Sequence, residues 1–86
     1  MKLKKEFVLR EIVGEAVLVP IGSSVSRFNG LITVNEMGKF IWENLESSND
    51  EEELLERILN EYDVERDVAK KDLDEFLQKL KDIDIL

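Results

Sequence analysis

The sequence contains no cysteine and no histidine. Without cysteine there is no disulfide, no thiolate metal site and no cysteine nucleophile, and the composition fits a reducing compartment. Without histidine the commonest general base near neutral pH and the commonest metal ligand are missing, and a Ser-His-Asp triad cannot be assembled. A single proline and four glycines argue against long disorder. Uninterrupted apolar runs reach only three or four residues, far short of the ~20 that a membrane span needs. Lys2, Lys4 and Lys5 are followed by Glu6 and not by an apolar region, so they do not read as a signal peptide. The expected location is the cytoplasm.

Basic charge is also scarce. There are 12 basic against 20 acidic side chains, a net charge of −8. The deficit is local: from Glu43 to Asp67 eleven acidic residues face only Arg57 and Arg66. Binding to nucleic acid draws much of its free energy from neutralising phosphates with Lys and Arg, so no nucleic-acid partner is expected. With 86 residues, the chain reads as one domain, 1–86. A domain of this size buries only about 60% of the surface its unfolded chain exposes. That leaves little room for a deep, dry active site, so no catalysis, cofactor or metal is expected. The acidic run Asp50–Glu53 lacks the alternating carboxylates and central glycine of a calcium loop. It reads as a solvated helix start that complements the helix dipole.

Residues 6–21 are rich in Val, Ile, Leu and Phe and are interrupted at Gly14. Strands are expected at about 6–13 and 16–20, joined by a type II′ turn with Gly14 first of its two central residues. Pro20 should end the second strand. Gly22, Ser23, Ser24, Asn29 and Gly30 mark a loop, and Leu31–Val34 a short third strand. Gly22-Ser23-Ser24 lacks the Gly-Lys-Ser/Thr of a phosphate loop and reads as a plain turn. Asn35 has the character of an N-cap for a helix carrying Met37, Ile41 and Leu45 on one face, widened by Phe40 and Trp42. Gly38 within it costs about 1 kcal/mol of helix propensity, which suggests close approach of another backbone. Ser48 and Glu51 have the form of a capping box for a second helix built on Leu54, Leu55, Ile58 and Leu59 and ending at Tyr62. A third helix is expected from Glu65 to Asp82, with Ala69, Leu73, Phe76, Leu77 and Leu80 on its apolar face. Leu73, Phe76, Leu80 and Trp42 read as core.

These residues, in this order, resemble the PqqD family of peptide-recognition elements for ribosomally made natural products, the coenzyme PQQ synthesis protein D type. The resemblance rests on the Gly14 hairpin with VLVP after it, Asn35, Gly38 and Ile41-Trp42, then Leu54-Leu55 and Tyr62, then Asp72, Leu73, Phe76, Leu77 and Leu80. Two places depart from the family pattern. Glu46-Ser47-Ser48-Asn49 stands where an Asp-Gly turn and a Thr cap are usual, and Asp84 stands where a Gly usually precedes the last apolar pair. Both touch caps and turns.

The resemblance implies an α+β, winged helix-turn-helix-like fold, a three-stranded antiparallel sheet followed by three helices (βββααα). It also implies a non-catalytic module that takes a precursor (leader) peptide as an added strand. The peptide would pair with the exposed edge of the third strand, lie against the third helix, and be delivered to a radical S-adenosylmethionine or other peptide-modifying enzyme. The physics is β-augmentation. The expected peptide-binding edge is Leu31, Ile32, Thr33 and Val34, which carries no blunting Pro or Lys. A helical wheel puts Lys70, Asp74 and Lys81 on one border of the third helix's apolar face, with Leu77 just inside, as the expected cleft lining. Two alternatives are a self-associating (homodimeric) or enzyme-docking structural domain, and a DNA-binding winged helix. The latter is disfavoured because the third helix carries six acidic and five basic residues.

Overall fold

A computed structural model describes residues 7–22, 31–83 and 85–86. The Lys2-Lys4-Lys5 cluster, the turn signals from Ser23 to Gly30 and the departure at Asp84 lie outside these residues. The elements run β1 (Phe7–Ile12), β2 (Glu15–Pro20), β3 (Ile32–Val34), α1 (Glu36–Leu45), α2 (Glu51–Glu61) and α3 (Arg66–Asp82). The fold is α+β, and the strands form one antiparallel sheet in the order β1-β2-β3.

The β1–β2 register pairs Ile12 with Glu15, so the hairpin's central residues are Val13 and Gly14. Both have positive φ, 51° and 79°. That is the sign pattern of a type I′ turn and not of the expected type II′ turn one residue later. The register explains the shift. It sets Leu9 opposite Leu18 and Phe7 opposite Pro20, whereas a turn centred on Gly14-Glu15 would set Glu11 against Leu18, on the core side. Pro20 ends β2 as its missing N–H requires. Leu18, Ile32, Val34 and Phe7 share the inward face with Leu9 and Ala16.

Against that face pack the apolar stripes of the helices: Ile41 and Leu45 of α1, Leu54, Leu55 and Ile58 of α2, and Ala69, Leu73, Leu77 and Leu80 of α3. Trp42 and Phe40 are partly buried beside this core, and the Phe40 ring meets Tyr62 edge-on at 5.4 Å. After α3 the chain turns back. The Ile85 amide donates to the Leu80 carbonyl (2.9 Å), and the Ile85 side chain is fully buried.

Asn35 caps α1 as expected, its Oδ1 accepting from the Gly38 amide at 2.8 Å. The cap of α2 differs. Asp50, not Ser48, accepts from the Glu53 amide (2.9 Å). Ser48 is buried and donates its hydroxyl to the Asn44 carbonyl (2.7 Å), closing the end of α1. The same junction is held by Arg57, which reaches from α2 to the Asn44 and Ser47 carbonyls (3.4 and 3.2 Å), the Ser47 hydroxyl (2.6 Å) and Glu53 (2.7 Å). α1 has no basic residue in its own last turn, so Arg57 supplies the positive charge that its carbonyl end favours.

Candidate groove between strand three and helix three

Among the described residues β3 pairs with β2 on one side only, and its outer edge faces α3 across a groove of about 430 Å³. The strand side consists of Thr33, Val34 and Asn35; the floor is Met37, Gly38 and Ile41 of α1; the helix side is Asp72, Glu75, Phe76 and Lys79. Each wall has a local cause. Alternation along β3 buries Ile32 and Val34 and turns Thr33 outward. The Asn35 cap starts α1 directly under the strand's end. Residues 72, 75, 76 and 79 recur at i, i+3, i+4 and i+7, one stripe of α3.

Gly38 sets how closely α3 approaches. A Cβ at this position would lie 3.0 Å from Phe76 Cε1, 3.2 Å from Val34 Cβ and 3.3 Å from Asn35 Oδ1. The close approach expected from Gly38 is therefore made by the Phe76 ring and the Val34 and Asn35 side chains, not by another backbone. Phe76 stays half-buried and forms part of the groove wall, although its spacing read as core.

Of the expected strand residues, Thr33 and Val34 line the groove, Ile32 is buried in the core, and Leu31 is 56% exposed just before β3. On the helix, the expected cleft residues Lys70, Asp74, Leu77 and Lys81 are not in the groove lining. Leu77 is buried in the core. Lys70 and Asp74 pair with each other at 3.3 Å, and Lys81 lies 4.0 Å from Glu51 of α2. An apolar helical face has two borders, and the wheel selected the one that includes a neighbour of α2. The border facing β3 carries Asp72, Glu75 and Lys79. The signal that distinguishes them was Gly38: a glycine inside α1 needed a bulky neighbour, and Phe76 marks the side of α3 that provides it.

A second hollow of about 270 Å³ shares Thr33, Val34 and Asn35 and extends toward the hairpin, where Glu11, Glu15, Glu36 and Lys39 line it. Lys39 bonds Glu11 at 2.9 Å. This hydrogen bond, helped by the lysine's charge, holds the Glu11 carboxyl below its ordinary pKa and raises that of Lys39. Burial, reinforced by Glu36, raises the pKa of Tyr62. Among the described residues no cluster of three carboxylates is arranged to hold a metal ion, and no helix is long and apolar enough to cross a membrane.

Comparison with known proteins is consistent with this geometry. One solved structure, "TbiB1 in Complex with the TbiA(beta) Leader Peptide", superposes with a TM-score of 0.74 at 29% sequence identity, covering 100% of this chain and 94% of that one. Comparison with curated protein sequences gives no match. The family described as coenzyme PQQ synthesis protein D (PqqD) matches residues 15–86, from the start of β2 through all three helices, and the chain belongs to that family.

Proposed function

We propose that this protein is a non-catalytic module that captures the leader segment of a ribosomal precursor peptide by strand addition and presents it to a separate modifying enzyme. The observation that carries the reading is the unpaired outer edge of β3, among the described residues, beside a groove walled by α3. A free edge supplies main-chain donors and acceptors, and the adjoining groove sorts side chains. Similarity to TbiB1, solved with a leader peptide, supports the same use. Leu31, Ile32, Thr33 and Val34 form the docking segment. The PqqD membership favours a radical S-adenosylmethionine enzyme as the recipient. The near-balanced charge of α3 and the acidic middle of the chain disfavour a phosphate backbone as ligand.

Amide shifts recorded during titration with leader segments encoded beside the gene test the reading. Shifts should concentrate in Leu31–Val34 and along Asp72–Lys79. N-methylation of the peptide should block binding at alternate residues, because only every second residue of an added strand donates across the ladder. A folded spectrum with no shifts for any neighbouring peptide would refute the proposal. A concentration-dependent rise to dimer mass, lost on adding charge at Leu31, would instead assign the edge to self-association.

A further inference from the structure

We infer that the groove selects a strand in which an apolar side chain is accompanied, two residues away on the same face, by lysine or arginine. This rests on the strand-addition reading and specifies its ligand. The groove has an apolar floor: Ile41 is fully buried, Gly38 leaves no side chain in the way, and Met37 and the Phe76 ring flank them. One apolar side chain fits there.

Charge decides its neighbours. Asp72 and Glu75 stand on the helix wall, and among the described residues neither makes an ion pair or side-chain hydrogen bond. Elsewhere on α3 most charged side chains have a partner, Asp67 and Lys71 being the exceptions among the described residues. Lys70 and Asp74 neutralise each other, Lys81 lies beside Glu51, and Arg66 holds both Glu52 and Glu56. The neighbouring hollow along the same strand adds Glu15 and Glu36, while its one lysine among the described residues, Lys39, is engaged with Glu11. Lys79, at the far end of the groove wall, is the only cation among the described residues that line it, so the rim is net acidic.

The spacing matches. Asp72 and Phe76 are one helical turn apart, about 6 Å along the axis. Same-face residues of an extended strand are about 6.8 Å apart. A strand laid along α3 with its apolar residue against Phe76 therefore brings its second neighbour level with Asp72, with Glu75 lying along the way between them. Lys79, on the other side of Phe76, disfavours a cation at the opposite neighbour, which gives the recognised segment a polarity.

The test is selection of a displayed library of random peptides, about twelve residues long, so that each spans β3 at ~3.3 Å per residue, on the intact protein. A parallel selection uses the Asp72→Asn/Glu75→Gln variant, whose isosteric amides at a half-buried and an exposed position should leave the amide spectrum unchanged elsewhere. At low salt, wild-type selection should enrich Lys or Arg two positions from an apolar residue about fivefold over input, the scale of one partly exposed ion pair. The preference should vanish on the variant and shrink at high salt. Enrichment of apolar residues with no charge preference, or one that survives the double substitution, overturns the inference and leaves strand addition standing. No enrichment on a folded protein overturns both.

Discussion

Replacing Gly38 by alanine adds one methyl group where β3, α1 and α3 meet, and its consequence follows from three distances. Carbon atoms in good contact sit about 3.5–4.0 Å apart. The new Cβ would lie 3.0 Å from the Phe76 ring and 3.2 Å from Val34 Cβ. The ring must therefore move by roughly half an ångström and β3 by a few tenths. The third contact, 3.3 Å to Asn35 Oδ1, crowds the oxygen that caps α1 by accepting from residue 38's own amide. Against this, alanine regains about 1 kcal/mol of helix propensity. Overpacking costs about 1–3 kcal/mol, and a weakened cap costs up to about 1 more. The net expectation is destabilisation by about 1 kcal/mol, a fall in Tm of roughly 4–8 °C for a domain of this length. Urea unfolding followed by the fluorescence of Trp42, the chain's single tryptophan, measures it. The mechanism is isolated by repeating the substitution in a Phe76→Leu background. There the ring edge is gone, and Gly38→Ala should be less costly by about 1 kcal/mol, a coupling expected only between residues in contact. If Gly38→Ala stabilises the wild type by its full propensity gain, and the same gain appears in the Phe76→Leu background, the packing argument is wrong.

Two further substitutions test the frame that holds the groove. Arg57→Met keeps the side-chain stem but removes the guanidinium that clamps the end of α1; a hydrogen bond from a charged donor contributes about 1.5–3 kcal/mol, and the partial exposure of these carbonyls and of the pair with Glu53 lowers the expected loss to about 1–2 kcal/mol. Urea midpoints would show this, with Arg57→Lys recovering only a fraction because an ammonium cannot fork between two carbonyls; a midpoint unchanged by Arg57→Met would deny the clamp. Val13 holds a left-handed conformation at φ 51° while almost fully exposed, so Val13→Asn relieves β-branched strain without losing packing and should raise stability by about 0.5–1 kcal/mol. A thermal midpoint that stays level or falls would show that the turn carries no such strain.

The order of elements was legible because hydrophobic period and caps agreed along most of the chain. Asn35 before Met37, Gly38 and Ile41 could be read as a helix start from chemistry alone. What was not legible were choices between two locally equivalent options. Ser48-x-x-Glu51 and Asp50-x-x-Glu53 both have capping-box form; in the fold the Glu53 amide goes to Asp50, and the Ser48 hydroxyl donates to the Asn44 carbonyl at the end of α1. The hairpin offered Gly14 as first or second central residue. Local propensity favoured the first, because the second forces Val13 into positive φ, but opposing Leu9 to Leu18 outweighed that strain. α3 offered two polar borders, and no property of an isolated helix tells which one faces the sheet. The strand half of the groove could thus be read from Thr33 and Val34, while the helix half required the Gly38–Phe76 contact.

That contact also explains why the groove persists and is not closed by collapse. α3 is fixed by Leu73, Leu77 and Leu80, which are almost fully buried in the core beside the groove wall. β3 is fixed by its ladder to β2. The distance between the two is then set by what lies beneath, and Gly38 lets Phe76 rest on α1 instead of being pushed outward. A chain without histidine or cysteine has few means of achieving selectivity through reactive chemistry. It can do so through spacing, by holding a strand edge that is unpaired among the described residues at a set distance from a helix that displays one ring and three charges. Substitutions at Asp72, Glu75 and Lys79 should therefore change which peptide is chosen with little effect on stability, since among the described residues these side chains have no ion-pair partners to lose. Substitutions at Gly38 and Phe76 should change both together.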